Sequence, residues 1–216
     1  MAGCGPSPPT EPAQFVADEV AEPIAEIHTP TAVSATSAPT PPEKTFVQQA
    51  AFQEESTAVP PVLLTAQHEA LCHVNVGDTM PEIELPKIGG GRTKLSDLYG
   101  SAATVVVFWS RDRRMALDEL ADLGPDVVET FGSRGVTVVG IAVKESSRDA
   151  QAALRTAEAK FANLLDADGS AFAEVGSQKL PRTLLLDAKG KVVWFDIEYS
   201  HATRRELQRA LLATLR

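Results

Sequence analysis

Two unbroken β-rich runs mark the second half of the chain, ATVVVFW at 103–109 and VTVVGIAV at 136–143. A strand with one wet face alternates apolar and polar residues, whereas apolar side chains at nearly every position suit a strand buried on both faces. Both runs are therefore expected near the middle of a sheet. Between them Ala116, Leu120, Leu123, Val127 and Phe131 recur at helical spacing. This predicts an amphipathic helix crossing between parallel strands, with Asp112 as its N-cap. Gly124-Pro125 falls inside that helix. Proline in a helix interior costs about 3 kcal/mol, so a kink or restart is expected there. A second helix starts at Ser147 and aligns Ala150, Leu154, Ala157 and Phe161, followed by a short strand at 162–165. TLLLDA (183–188) and KVVWFDIEY (191–199), joined through Lys189-Gly190, read as an antiparallel hairpin. Thr203 and Glu206 have capping-box spacing ahead of Leu207, Leu211 and Leu215. The sum is an α/β domain with a mixed sheet and helices on both faces.

Composition divides the chain. Of 15 prolines in 216 residues, eleven fall in residues 1–74, and so do nine acids against the single base Lys44. The remainder holds 19 bases against 20 acids, so nearly all of the net charge of −9 belongs to the first third. A Pro-, Ala-, Thr- and Ser-rich acidic segment buries too little apolar surface to offset chain entropy, so residues 1–74 are expected to be a mostly disordered tether before a domain at 75–216. Two patches of the tether, 14–27 and 62–72, have helix-compatible apolar residues. The acidity argues against nucleic-acid partners, which need clustered bases. No run approaches the ~18 apolar residues of a spanning helix. With two cysteines, Cys4 and Cys72, and four histidines at unrelated spacings, neither a disulfide framework nor a metal site is expected.

Several separated motifs carry a family resemblance. VGDTMPEIELPKIGGGRTKLSDLYG (76–100), followed by VVVFW, resembles the opening of the redoxins of the thioredoxin superfamily, the TlpA/ResA-like thiol-disulfide oxidoreductases and their AhpC/TSA-type peroxiredoxin relatives. NLLDADGSAFAEVGSQKLPRTLLLDAKGKVV (163–193) resembles the same family farther along. The resemblance implies a thioredoxin-like three-layer fold, a central mixed sheet flanked by helices, and no cofactor. It also implies a Cys-x-x-Cys motif at the start of the helix after the central strand, where helix-start N–H groups activate the first thiol and the second attacks the mixed disulfide. This chain reads FWSRDRRMALDEL there, which puts Arg113 and Ala116 at the two cysteine positions. No cysteine occurs anywhere in 74–216, so the family's catalytic pair is absent.

Four features remain as candidate binding chemistry. Pro181 matches the family's cis-proline, which helps hold an extended substrate segment; geometry alone also accounts for it, by shaping the turn into a strand. Arg111, Arg113 and Arg114 cluster at a helix start and could hold an anion, or form a solvated face partly neutralised by Asp112. Trp109 is expected to pack at the sheet edge, with an exposed rim as its only binding use. Cys72, next to His73, suggests an activated nucleophile, but adjacent residues need not face each other, and a partly buried inert thiol is the simpler expectation.

Met1-Ala2-Gly3-Cys4 is similar to the end of a bacterial lipobox, whose cysteine is lipidated, and a long tether after Cys4 fits a lipoprotein holding a domain off a membrane. No charged and apolar leader precedes it in this sequence, so export requires an upstream signal; without one, the expectation is cytoplasmic. The sequence thus supports a redox-inactive thioredoxin-like module that binds or scaffolds a protein or peptide in the cell envelope. A thiol-disulfide oxidoreductase using Cys72 or partner thiols, and an anion-binding domain at the arginines, are the alternatives.

Overall fold

The computed structural model describes residues 58–216. The tether over residues 1–57, the 14–27 patch and Cys4 lie outside the described residues. The centre is a five-stranded mixed sheet built from β3 (Ala103–Trp109), β4 (Val136–Val143), β5 (Ala162–Asp166), β6 (Arg182–Asp187) and β7 (Val192–Ile197), in the order β5-β4-β3-β6-β7. β3 pairs parallel with β4, and β4 with β5, while β6 runs antiparallel to both β3 and β7. All seven residues of β3 are buried, as its unbroken apolar run requires. A two-stranded antiparallel ribbon, β1 (Glu84–Pro86) and β2 (Arg92–Lys94), precedes the main sheet.

The helices sort by the sheet face they cover. α2 (Arg114–Leu123), α3 (Ser147–Thr156) and α5 (His201–Thr214) bury Ala116, Leu120, Ala150, Leu207 and Leu211 against Val105, Val107 and Trp109. α4 (Ser170–Val175) buries Phe172 and Val175 on the other face, against Val106, Phe108, Leu184 and Leu186. Side-chain alternation along β3 and β6 thus feeds two separate apolar clusters. Buried Asp166 fixes the start of α4 by accepting the N–H groups of Ala171 (3.3 Å) and Phe172 (2.9 Å). Residues before Asn75 also pack: α1 (Ala66–Glu69) is a single turn inside the 62–72 patch, Val59, Val62 and Leu64 lie against the clusters, and Cys72 bridges Gly176.

Four expectations change. The N-cap of α2 is Arg113, not Asp112, and no side chain caps it. The capping box of α5 lies one turn earlier than expected: Ser200, extended at φ −153°, is the N-cap, and Thr203 reciprocates in place of the expected Thr203/Glu206 pair. α3 stops at Thr156, so Phe161 reaches the core from the loop ahead of β5 rather than from the helix. Trp109 sits on the central strand rather than at the sheet edge. At Gly124-Pro125 the interruption takes the form of a π-helical turn, Gly124–Glu129, with the proline in its first turn, where a missing N–H costs no intrahelical bond.

Candidate functional site

The turn from β3 into α2 is where the redoxin chemistry would stand. Arg113, at the first cysteine position, is exposed at φ −109°, ψ 106°. Ala116, at the second, is wholly buried against the sheet. Neither side chain can carry a thiolate. A carboxylate organises the turn instead. Glu145, just after β4, is buried and accepts the Ser110 hydroxyl (2.8 Å) and the Arg111 N–H (2.9 Å) on Oε1. The Arg111 guanidinium folds back over it, 3.6 Å from Glu145 Oε2, 3.0 Å from Asp149 and 3.8 Å from Asp112.

The three arginines therefore do not converge. Arg111 turns toward Glu145 and Asp149, the largely exposed Arg114 lies 3.9 Å from Asp118 one turn on, and Arg113 makes no ion pair among the described residues. Trp109 offers no rim, because it is 0% exposed. Its Nε1–H donates to Asn163 Oδ1 (3.2 Å), and Gly140 leaves the room: a Cβ there would lie 2.0 Å from that oxygen. A binding role for Trp109 is thereby corrected to a packing role. The Leu180-Pro181 bond is cis, and Pro181 is buried.

Behind Pro181 lies a group of buried polar residues that sequence patterning did not single out. Glu119, on the inner face of α2, is 4% exposed and accepts the Thr183 hydroxyl at 2.5 Å. Burial pushes its carboxyl up to about 8, against a lowering by the Thr183 hydrogen bond, with nearby Asp196 raising it further. Burial likewise lifts Asp196 to about 6. Together with Pro181 and Trp194 they line a cavity of ≈ 10 Å³, and among the described residues Glu119 Oε2, Asp196 Oδ2 and Trp194 Nε1 have no hydrogen-bond partner. The signal was legible: Glu119 lies three residues after Ala116 and four before Leu123, on the buried stripe.

Among the described residues Cys72 is the one cysteine, and it is free and half-buried. It lies on the α4 face of the sheet, away from Arg113 and Ala116. His73 does not activate it, since its Nδ1 meets the Ala173 carbonyl at 2.8 Å while the thiol donates to His68 O at 3.3 Å. No group of three or more potential metal ligands occurs among the described residues.

Comparison with solved structures shows a thioredoxin-like fold. A Chlorobium tepidum protein assigned as a thiol:disulfide interchange protein DsbE shares 24% identity with a TM-score of 0.61, over 66% of this chain and 99% of that one. The Mycobacterium tuberculosis peroxidoxin BcpB shares 22% identity with a TM-score of 0.56, over 67% of this chain and 99% of its own. A secreted M. tuberculosis disulfide oxidoreductase homologous to E. coli DsbE shares 22% identity with a TM-score of 0.52, over 60% and 95% of the two chains. No curated protein matches the sequence. The profile of the AhpC/TSA family matches residues 76–195, more than half of the chain, and the ribbon, strands β3 to β6 and the cis-proline described above fall within that span. The chain therefore belongs to the AhpC/TSA family.

Proposed function

We propose that this AhpC/TSA-family domain is silent at the family's redox site and serves as a binding or scaffolding module for a protein or peptide in the cell envelope. The observation that carries the reading is the pair Arg113 and buried Ala116 at the two cysteine positions, with Glu145 and Arg111 filling the turn around them. A thiol-disulfide cycle needs a thiolate at the helix start and a second thiol one turn on, and neither residue supplies sulfur. The surface offered to a partner is the exposed start of α2, where Arg113, Arg114 and Met115 are open to solvent. The envelope assignment rests on the likeness of Cys4 and its tether to a lipoprotein N-terminus, with Cys4 as the lipidated residue and membrane attachment.

Dithiothreitol-dependent insulin reduction by the full chain, beside an active family member, tests the redox half. A rate equal to the reagent blank is the expected result. Turnover above the blank that disappears in the Cys72→Ser variant would overturn the reading in favour of an oxidoreductase built on Cys72.

A further inference from the structure

The polar pocket behind Pro181 leaves three hydrogen-bonding atoms to account for. Trp194 and Asp196 stand two residues apart on β7 and so share one of its faces, and Thr183 of β6 is the register partner of Asp196. Glu119 reaches the same place from α2, where its Oε1 accepts the Thr183 hydroxyl. Among the described residues Glu119 Oε2, Asp196 Oδ2 and Trp194 Nε1 have no partner, although Glu119 and Trp194 are only 4% and 2% exposed. Buried polar atoms are ordinarily satisfied, because an unmade bond leaves the full desolvation penalty of the group uncompensated.

The cavity these atoms line has a ligand that fits. Its ≈ 10 Å³ stands at the lower bound for a single water, about 10–15 Å³, and a buried water makes about three hydrogen bonds. The three atoms supply that number with matching polarity. The indole N–H only donates, an ionised Asp196 only accepts, and a protonated Glu119 donates from Oε2 while Oε1 keeps the Thr183 hydroxyl. A water takes both donors on its lone pairs and gives one of its own protons to a hydrogen bond with Asp196. A metal ion suits the set poorly, since the indole nitrogen has no lone pair to offer it. The other charged groups around the pocket are engaged elsewhere. Glu198 pairs with Lys179 (2.8 Å), Arg204 with Asp122 (2.8 Å) and Asp126 (2.8 Å), and the Tyr199 hydroxyl donates to Asp122. Glu206 on α5 adds repulsion to Asp196 through space.

We propose that this cavity is the binding site of one water, bonded at once to Glu119, Asp196 and Trp194, through which the two carboxyls share a single proton. The transfer balances: Glu119 Oε2 gives its proton to the water, the water gives one of its own to Asp196 Oδ2, and the water is left as it was. The pair then titrates as a unit and holds one proton between about 6 and about 8. Above that window two buried charges face one another between α2 and β7. The shared proton is thus what allows two acids to occupy one pocket. The site is independent of the binding role of the α2 surface, and its failure would leave that reading intact.

The test is NMR of the full chain, reading the indole Hε1 resonances of its two tryptophans. Trp109 is the internal control, because its Nε1–H already donates to Asn163. At pH 7 the expected result is a dipolar cross-peak between Trp194 Hε1 and a long-lived water, with none at Trp109. The peak is expected to persist in Glu119→Gln, whose amide has no acidic proton to relay it. Between about pH 4 and about pH 9 the Trp194 Hε1 shift is expected to move in two steps in the parent and in one step in Glu119→Gln. Absence of the water peak at Trp194 in the parent overturns the site, whether or not the variant folds. A peak lost in folded Glu119→Gln traces it to the carboxyl proton and overturns the site as well. The same number of steps in parent and folded variant overturns the shared proton.

Discussion

Less than two turns of α2 separate Arg113 from Glu119, and the two residues occupy opposite environments. Arg113 stands in solvent at a helix start where the family's attacking thiol belongs, and nothing in the core depends on it. Glu119 lies under the sheet, hydrogen-bonded to Thr183 and held largely neutral by burial, beside Asp196 and the cis Pro181. The lesson is that the reactive surface and its buried support are separable. A thiol at a helix start can be replaced at small energetic expense because water solvates whatever stands there. A buried polar group is tied into hydrogen bonds whose loss leaves other groups stranded.

That contrast can be broken or sharpened by substitution. The largest effect is expected at Glu119. Its folded carboxyl, near 8, lies above the ordinary value of 4.5, so the native state holds a proton that the unfolded chain releases, and stability falls as pH rises from about 4.5 to about 8. Asp196 acts in the same direction up to about 6. Glu119→Gln removes the larger contribution, and urea denaturation is expected to find it more stable than the parent above pH 8, by on the order of a few kcal/mol, and close to it near pH 4. A parallel pH dependence in parent and variant would place Glu119 among ordinary solvated acids.

A smaller loss, about 1–3 kcal/mol in the same measurement at pH 6, is expected for Thr183→Val, which keeps the shape and strips Glu119 of its donor. The smallest change belongs to the exposed end. Arg111→Ala breaks ion pairs to Glu145 and Asp149 around a half-exposed guanidinium, for an expected loss of less than about 1 kcal/mol that shrinks further in high salt. A loss at Arg111 as large as that at Thr183 would erase the distinction between the two regions.

The framework was readable because it obeys periodicity. β3 and β4 declared themselves as unbroken apolar runs, the α2 stripe carried through a proline into a π-helical turn, and the hairpin of β6 and β7 followed its Lys189-Gly190 turn. The errors arose where local chemistry had two solutions. Both Ser200/Thr203 and Thr203/Glu206 have capping spacing, and the extended backbone at Ser200 selects the first. Phe161 kept the helical period of α3, yet the chain leaves the helix at Thr156. The loss of the cysteines at Arg113 and Ala116 could be read from letters alone. The position of Glu119 on the apolar stripe could be read as well, but not its burial, because a charged residue there is ordinarily assigned to solvent, and only the packed structure shows which charges face inward.

The central claim is that the residues at 113 and 116, and not the rest of the scaffold, silence the family site. Insulin reduction by the Arg113→Cys/Ala116→Cys variant, with Cys4 and Cys72 replaced by serine, beside the parent chain tests it most directly. The expected result is a blank rate for the parent and a gain on the order of tenfold or more for the variant, as thiols one turn apart at a helix start recover the exchange chemistry. Turnover by the parent chain, or a variant that forms the 113–116 disulfide and still reduces no insulin, would contradict it.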